Sequence, residues 1–169
     1  MRTDPPEDAS ELDSLTGFLA YQRETLLLKT DGLTREQLAT TLPPSSMTLA
    51  GLLYHLAYVE ESWSLEDFAG QPVPEPWAGV DWAADRDWEW HAAVDLGPDV
   101  LRERYREACR RTDAVVAAAG DLGALSAVPL RDGGRFSLRW MLLHLVEETA
   151  RHNGHADLLR EAVDGTVGE

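Results

Sequence analysis

Four stretches of roughly twenty residues carry leucine, valine and aromatic side chains at intervals of three and four, and a glycine closes each of them. That periodicity restricts the chain to packing helix against helix. The first stretch opens at Ser10-Glu11, repeats Leu12, Leu15, Leu19, Leu26 and Leu27, and stops at Asp31-Gly32, which predicts a helix over about residues 10–30. LTREQLATTLPPSSM then adds a short turn with Thr34 as N-cap and Pro43-Pro44 as a stop. Leu49, Leu52, Leu56, Val59 and Trp63 predict a second helix over about 48–69, closed by Gly70. A third is expected over 98–119, with Val100, Leu101, Tyr105, Ala108, Val115 and Val116 on its buried side. The fourth starts at the Ser137 cap and runs to about Val163, before Asp164-Gly165.

Between the second and third helices, residues 70–97 contain Pro72, Pro74, Pro76, Trp77, Trp82, Trp88 and Trp90. The segment is too broken for a long helix and too apolar for disorder, so it reads as an ordered crossover packed along the bundle, its aromatics sealing the core. No period-2 segment of convincing length and no repeat appears. The expectation is an all-α chain: one domain over residues 1–169, a four-helix bundle with a long crossover between helices two and three.

A formal charge of -15 with no basic stripe argues against nucleic acid and against an anionic membrane surface. The acidic N-terminus lacks the apolar core of a signal peptide, and no run of about 18 apolar residues occurs, which predicts a soluble cytoplasmic protein. Cys109 is the one cysteine, so neither an internal disulfide nor a thiolate cage is available. Any metal must be held by imidazole and carboxylate.

Three of the five histidines crowd into HLVEETARHNGHADLLRE, from His144 to Glu161. With His144 at zero on a helical wheel, His155 lies near 20°, Glu148 near 40° and His152 near 80°, beside Met141, Leu145 and Leu159. Glu147, Arg151, Asn153, Asp157, Arg160 and Glu161 point elsewhere, so the stripe is expected to face the core and these residues water. On the second helix His55 borders the inward face with Leu52 and Val59. Imidazole and carboxylate on an apolar face need compensation, either from a buried Glu–His hydrogen bond or from a metal. Glu148 and His152, spaced i, i+4, can grip an ion from one side and His55 from the other, a His2Glu set that leaves a coordination position open. Zinc, nickel and iron all accept such donors.

LAGLLYHLAYVEESW in helix two and FSLRWMLLHLVEETARHNGHADLLREAVDG in helix four resemble the DinB superfamily, in the branch that contains mycothiol-dependent maleylpyruvate isomerase. The resemblance implies a four-helix bundle with one metal ligand on helix two and two on helix four spaced by four; the matching positions are His55, Glu148 and His152. His155 and His144 fall outside that ligand pattern and become candidates for orienting a ligand or touching substrate; Trp63 is the one aromatic assigned to the site's wall. His91, Arg139 and Arg151 are assigned to the surface.

The resemblance also implies chemistry. Characterised relatives look like metal-dependent transferases or isomerases that use a low-molecular-weight thiol, mycothiol or a similar molecule; the metal expected here is divalent, zinc ahead of nickel or iron. The isomerase carries a further domain after its bundle, which this pattern lacks, so transfer of the thiol to small electrophiles is expected in place of isomerisation. The rival expectation is a non-catalytic metal-binding or dimeric stress-related scaffold, and a third is a metal-free bundle in which Glu148 bridges His55 and His152. A homodimer is expected in either family-based case.

Overall fold

The computed structural model describes residues 2–168. Its helices are α1 (Glu11–Lys29), α2 (Arg35–Leu38), α3 (Leu49–Glu61), α4 (Trp88–Ala93), α5 (Pro98–Ala119) and α6 (Leu138–Asp164). Ser10, Thr34 and Ser137 cap their helices as expected and Thr48 caps α3, each accepting the backbone N–H of the third helical residue, and Gly120 and Gly165 close α5 and α6 at φ 64° and 78°. The long helices α1, α3, α5 and α6 form the bundle, and the described residues contain no β-strand, only an isolated bridge between Leu125 and Ser137.

Cross-helix contacts give the directions. Glu11 meets Arg139, Gln22 meets Asn153 and Lys29 meets Asp157, so α1 and α6 run parallel. Arg23 reaches Asp113 while Arg102 reaches the Leu27 carbonyl, so α5 opposes α1. His55 faces His152 while Trp63 faces His144, so α3 opposes α6. It follows that α3 and α5, consecutive in the bundle, run parallel. A parallel pair cannot be joined by a short turn; residues 70–97 return the chain along the bundle's length.

Within that crossover Trp77 is 2% exposed and, with Tyr54, Tyr58, Trp82 and Trp88, forms the aromatic seal expected of it. Val100 departs from expectation: it is 57% exposed, because the inward face of α5 is carried by Leu101, Tyr105, Ala108, Thr112, Val115 and Val116. No helix among the described residues is long and apolar enough to cross a membrane.

The end of α3 holds an ionic seam that periodicity does not announce. Glu60 and Glu61 are 1% and 0% exposed. Arg23 donates to both Glu60 oxygens at 2.6 Å, and Arg111, Arg104 and the Trp77 indole donate to Glu61 at 2.6, 3.0 and 2.5 Å. The Ser64 and Thr112 hydroxyls both donate to the Glu60 carbonyl, and from Ser62 to Phe68 the helix widens to π geometry. A carbonyl satisfied from the side no longer dictates the i→i+4 ladder, and that is the physical setting in which such widening occurs.

Candidate metal centre

His55 sits in the middle of α3, its side chain 20% exposed. The His152 ring on α6 meets it edge-on at 5.1 Å between centroids. Glu148, one turn before His152, places Oε2 3.6 Å from His152 Nε2. Two ligand atoms each about 2.1 Å from a tetrahedral ion stand about 3.4 Å apart, so this spacing suits a shared ion better than a hydrogen bond. In kind, His55, Glu148 and His152 fit a divalent metal, and the Glu148–His152 spacing fits as well. As the side chains stand, however, no three His, Cys, Asp or Glu groups among the described residues converge on one ion position.

The stripe lies where its chemistry requires, which is not where the wheel centred it. Leu138, Met141, Leu142, Leu145, Thr149, Asn153, Ala156 and Leu159 are the buried residues, between about 60° and 180° from His144. His152, near 80°, lies within that buried sector, while His144, Glu148 and His155, near 0° to 40°, border it, and all four are half-buried. Asn153 is the second correction: it is 5% exposed and donates to the Gln22 carbonyl and side chain, because α6 also packs on α1. Asp157 and Arg160 likewise serve that contact, pairing with Lys29 and with the last carbonyls of α1.

Burial, followed by the neighbouring His55, His155 and Arg151, lowers the His152 pKa to about 4. The imidazole is therefore neutral near pH 7, the form that donates a lone pair. His155 reaches His152 at 3.3 Å between Nδ1 atoms, so one of the two rings donates there. His144 stands a turn before Glu148, stacked on Trp140 at 5.2 Å and edge-on to Trp63 at 4.4 Å, its Nε2 buried without a hydrogen-bond partner among the described residues. Trp63 thus packs in a ring cluster with His144, Phe136 and Trp140. His91 pairs with Asp85 on the surface, Arg139 with Glu11 and Arg151 with Glu147, as assigned.

Two contacts come from the crossover and were not legible beforehand. Glu89 is 5% exposed and places Oε1 3.1 Å from His55 Nδ1, so the carboxylate bonded to His55 is Glu89 and not Glu148. Trp90 stacks on His55 at 4.9 Å and leans toward His152 at 6.3 Å. Gly51 makes room for it: a Cβ there would stand 2.4 Å from the indole. A cavity of about 470 Å³ opens beside Trp90, lined by Thr41, Ser46, Thr48, Asp87 and His91 among others. Cys109 lies elsewhere, against Glu60 between α1 and α5, and burial together with that carboxylate holds its thiol far above the usual range. Near neutral pH that thiol stays protonated.

Among curated proteins none matches the chain. Two crystal structures of mycothiol-dependent maleylpyruvate isomerase are similar in fold: a histidine-to-alanine variant with TM-score 0.65 at 14% identity, and the unmodified form with TM-score 0.60 at 15% identity. Each match covers 86% of this chain and 60% of the isomerase chain. The model of the mycothiol-S-transferase family matches residues 14–165, a span that contains α3 with His55 and α6 with Glu148 and His152. By that match the chain belongs to the mycothiol-S-transferase family.

Proposed function

We propose that the protein is a metal-dependent thiol S-transferase that joins mycothiol, or a thiol like it, to small electrophiles. The observation that carries this reading is the pairing of neutral His152 with His55 at 5.1 Å and with Glu148 at 3.6 Å, at the half-buried edge of the bundle. His55, Glu148 and His152 would hold the ion. Glu148, the most exposed of the three at 26% of its side chain, has the freedom to turn and complete the set. Zinc suits these donors, as do nickel and iron.

A bound divalent ion supplies Lewis acidity that lowers a thiol's pKa, so that thiolate forms at neutral pH. The remaining work falls to the chain. Trp90 covers one side of His55 and excludes water from it, while His155 holds the orientation of His152 through their Nδ1 contact. The cavity beside Trp90 has the Thr41, Ser46 and Thr48 side chains in its lining, suited to a polar cosubstrate, with the Trp90 indole between it and His55. In the reaction the thiol proton passes to solvent, the sulfur–carbon bond forms and the leaving group departs with its electron pair. Because the Cys109 thiol stays protonated, the sulfur must arrive with the cosubstrate.

Mixing the purified protein with mycothiol and an alkylating electrophile, with and without a chelator, tests this directly. Chelator-sensitive formation of the thioether is expected. A metal-loaded protein that forms no conjugate across a broad electrophile panel contradicts the catalytic reading and leaves a metal-binding scaffold.

A further inference from the structure

We propose that Glu89, on the crossover helix α4, is a positioning residue for the metal centre, holding His55 in the tautomer whose Nε2 keeps the free lone pair. The proposal rests on the reading of His55 as a ligand. A carboxylate oxygen only accepts, so the hydrogen between Glu89 Oε1 and His55 Nδ1 belongs to the ring. A neutral imidazole carries one N–H, so Nε2 is left as the acceptor. A carboxylate or carbonyl on the far nitrogen is the recurrent way in which proteins fix and strengthen a histidine ligand.

The surroundings of Glu89 support this role over a purely structural one. Its other oxygen, Oε2, is buried with no hydrogen-bond partner among the described residues. Burying a carboxylate on one hydrogen bond is costly, and a carboxylate placed for stability alone would be surrounded as Glu60 and Glu61 are. The neighbouring side chain completes the constraint. Trp90 stacks on the His55 ring with planes 26° apart, and Gly51 lets that indole settle onto α3. The indole fixes the plane of the imidazole and Glu89 fixes its edge. The crossover is thereby part of the centre as well as the link between two parallel helices.

The first test needs no substitution. Nitrogen-15 NMR of the metal-free wild type should show His55 as the Nδ1–H tautomer; an Nε2–H tautomer overturns the proposal. Second, Zn2+ affinity is measured by competition with a chromophoric chelator, with melting temperatures to verify that each variant is folded. Glu89→Ala should weaken binding about 10–100-fold, and Glu89→Gln, which keeps an acceptor oxygen, should lose less. Unchanged affinity in a folded Glu89→Ala protein overturns the proposal. Third, the visible spectrum of the Co2+-loaded protein separates orienting from ligating. Equal band intensities in wild type and Glu89→Gln are expected; a changed coordination number makes Glu89 itself a ligand and overturns the positioning role. A wild type that takes up no Zn2+ overturns the ligand reading, whereas the tautomer, read without metal, still decides the Glu89 contact.

Discussion

Helix α3 carries polar groups into the bundle at two places, and the two are finished differently. At Glu60 and Glu61 every carboxylate oxygen has a guanidinium or indole donor. One and a half turns earlier, at His55, the partners are carboxylates and other imidazoles, and Glu89 Oε2 has no partner at all among the described residues. The first region contains its own counter-charges and closes on itself. The second gathers electron-pair donors at a half-buried edge of the bundle, where, on the proposed reading, a cation would complete them. Burial of charge alone therefore does not distinguish the two regions; the sign of what surrounds the charge does.

Breaking the closed seam should have the larger effect. Arg23→Ala leaves the Glu60 carboxylate buried without its guanidinium and should cost about 3–5 kcal/mol in denaturant unfolding. Metal bound per folded molecule should not change. If stability holds and metal uptake falls, the two regions are not the separate systems described above.

The next effect concerns pH. His152 has a folded pKa of about 4, below the usual value of 6.5, so between these values the unfolded chain binds a proton that the folded chain refuses. Its contribution is fully present above pH 6.5 and is lost as pH falls toward 4. In metal-stripped protein the loss should be on the order of 3 kcal/mol relative to His152→Gln. Parallel stability curves for the two proteins across that window would remove the basis for a neutral, buried His152.

Smaller effects test the wall of the centre. Gly51→Ala forces the Trp90 indole away from α3 and should cost about 1–3 kcal/mol, with a change in tryptophan emission. His144→Phe should be the mildest change, within about 1 kcal/mol of wild type, because it replaces a ring whose buried Nε2 has no partner among the described residues with an apolar ring between Trp63 and Trp140. Its Zn2+ affinity should match wild type; a large loss would make His144 part of the ligand set.

The long helices were legible in the chain because caps and 3.6-residue periods act locally: Ser10, Thr48, Ser137 and the closing glycines work through their own neighbours in sequence. His55, Glu148 and His152 could be chosen for the same reason, since the spacing of two is set by one helix and the third borders the apolar face of another. What was lost depended on how faces meet. The wheel placed Met141, Leu145 and Leu159 inside with the stripe but could not know that α6 packs on α1 as well as α3, which extends the buried face as far as Asn153 and leaves the stripe toward one edge of it. Val100 erred similarly, by one step around α5. Glu89 and Trp90 carried no usable signal: in a segment broken by proline, nothing local states which side chain will lie over His55.

The central claim is that the open cluster, unlike the closed seam, exists to hold a cation. Elemental analysis of the purified protein beside its His152→Ala variant tests it most directly. The account predicts about one divalent ion per chain in the wild type and loss of it in the folded variant. Equal metal in both, or negligible metal in both, would contradict it.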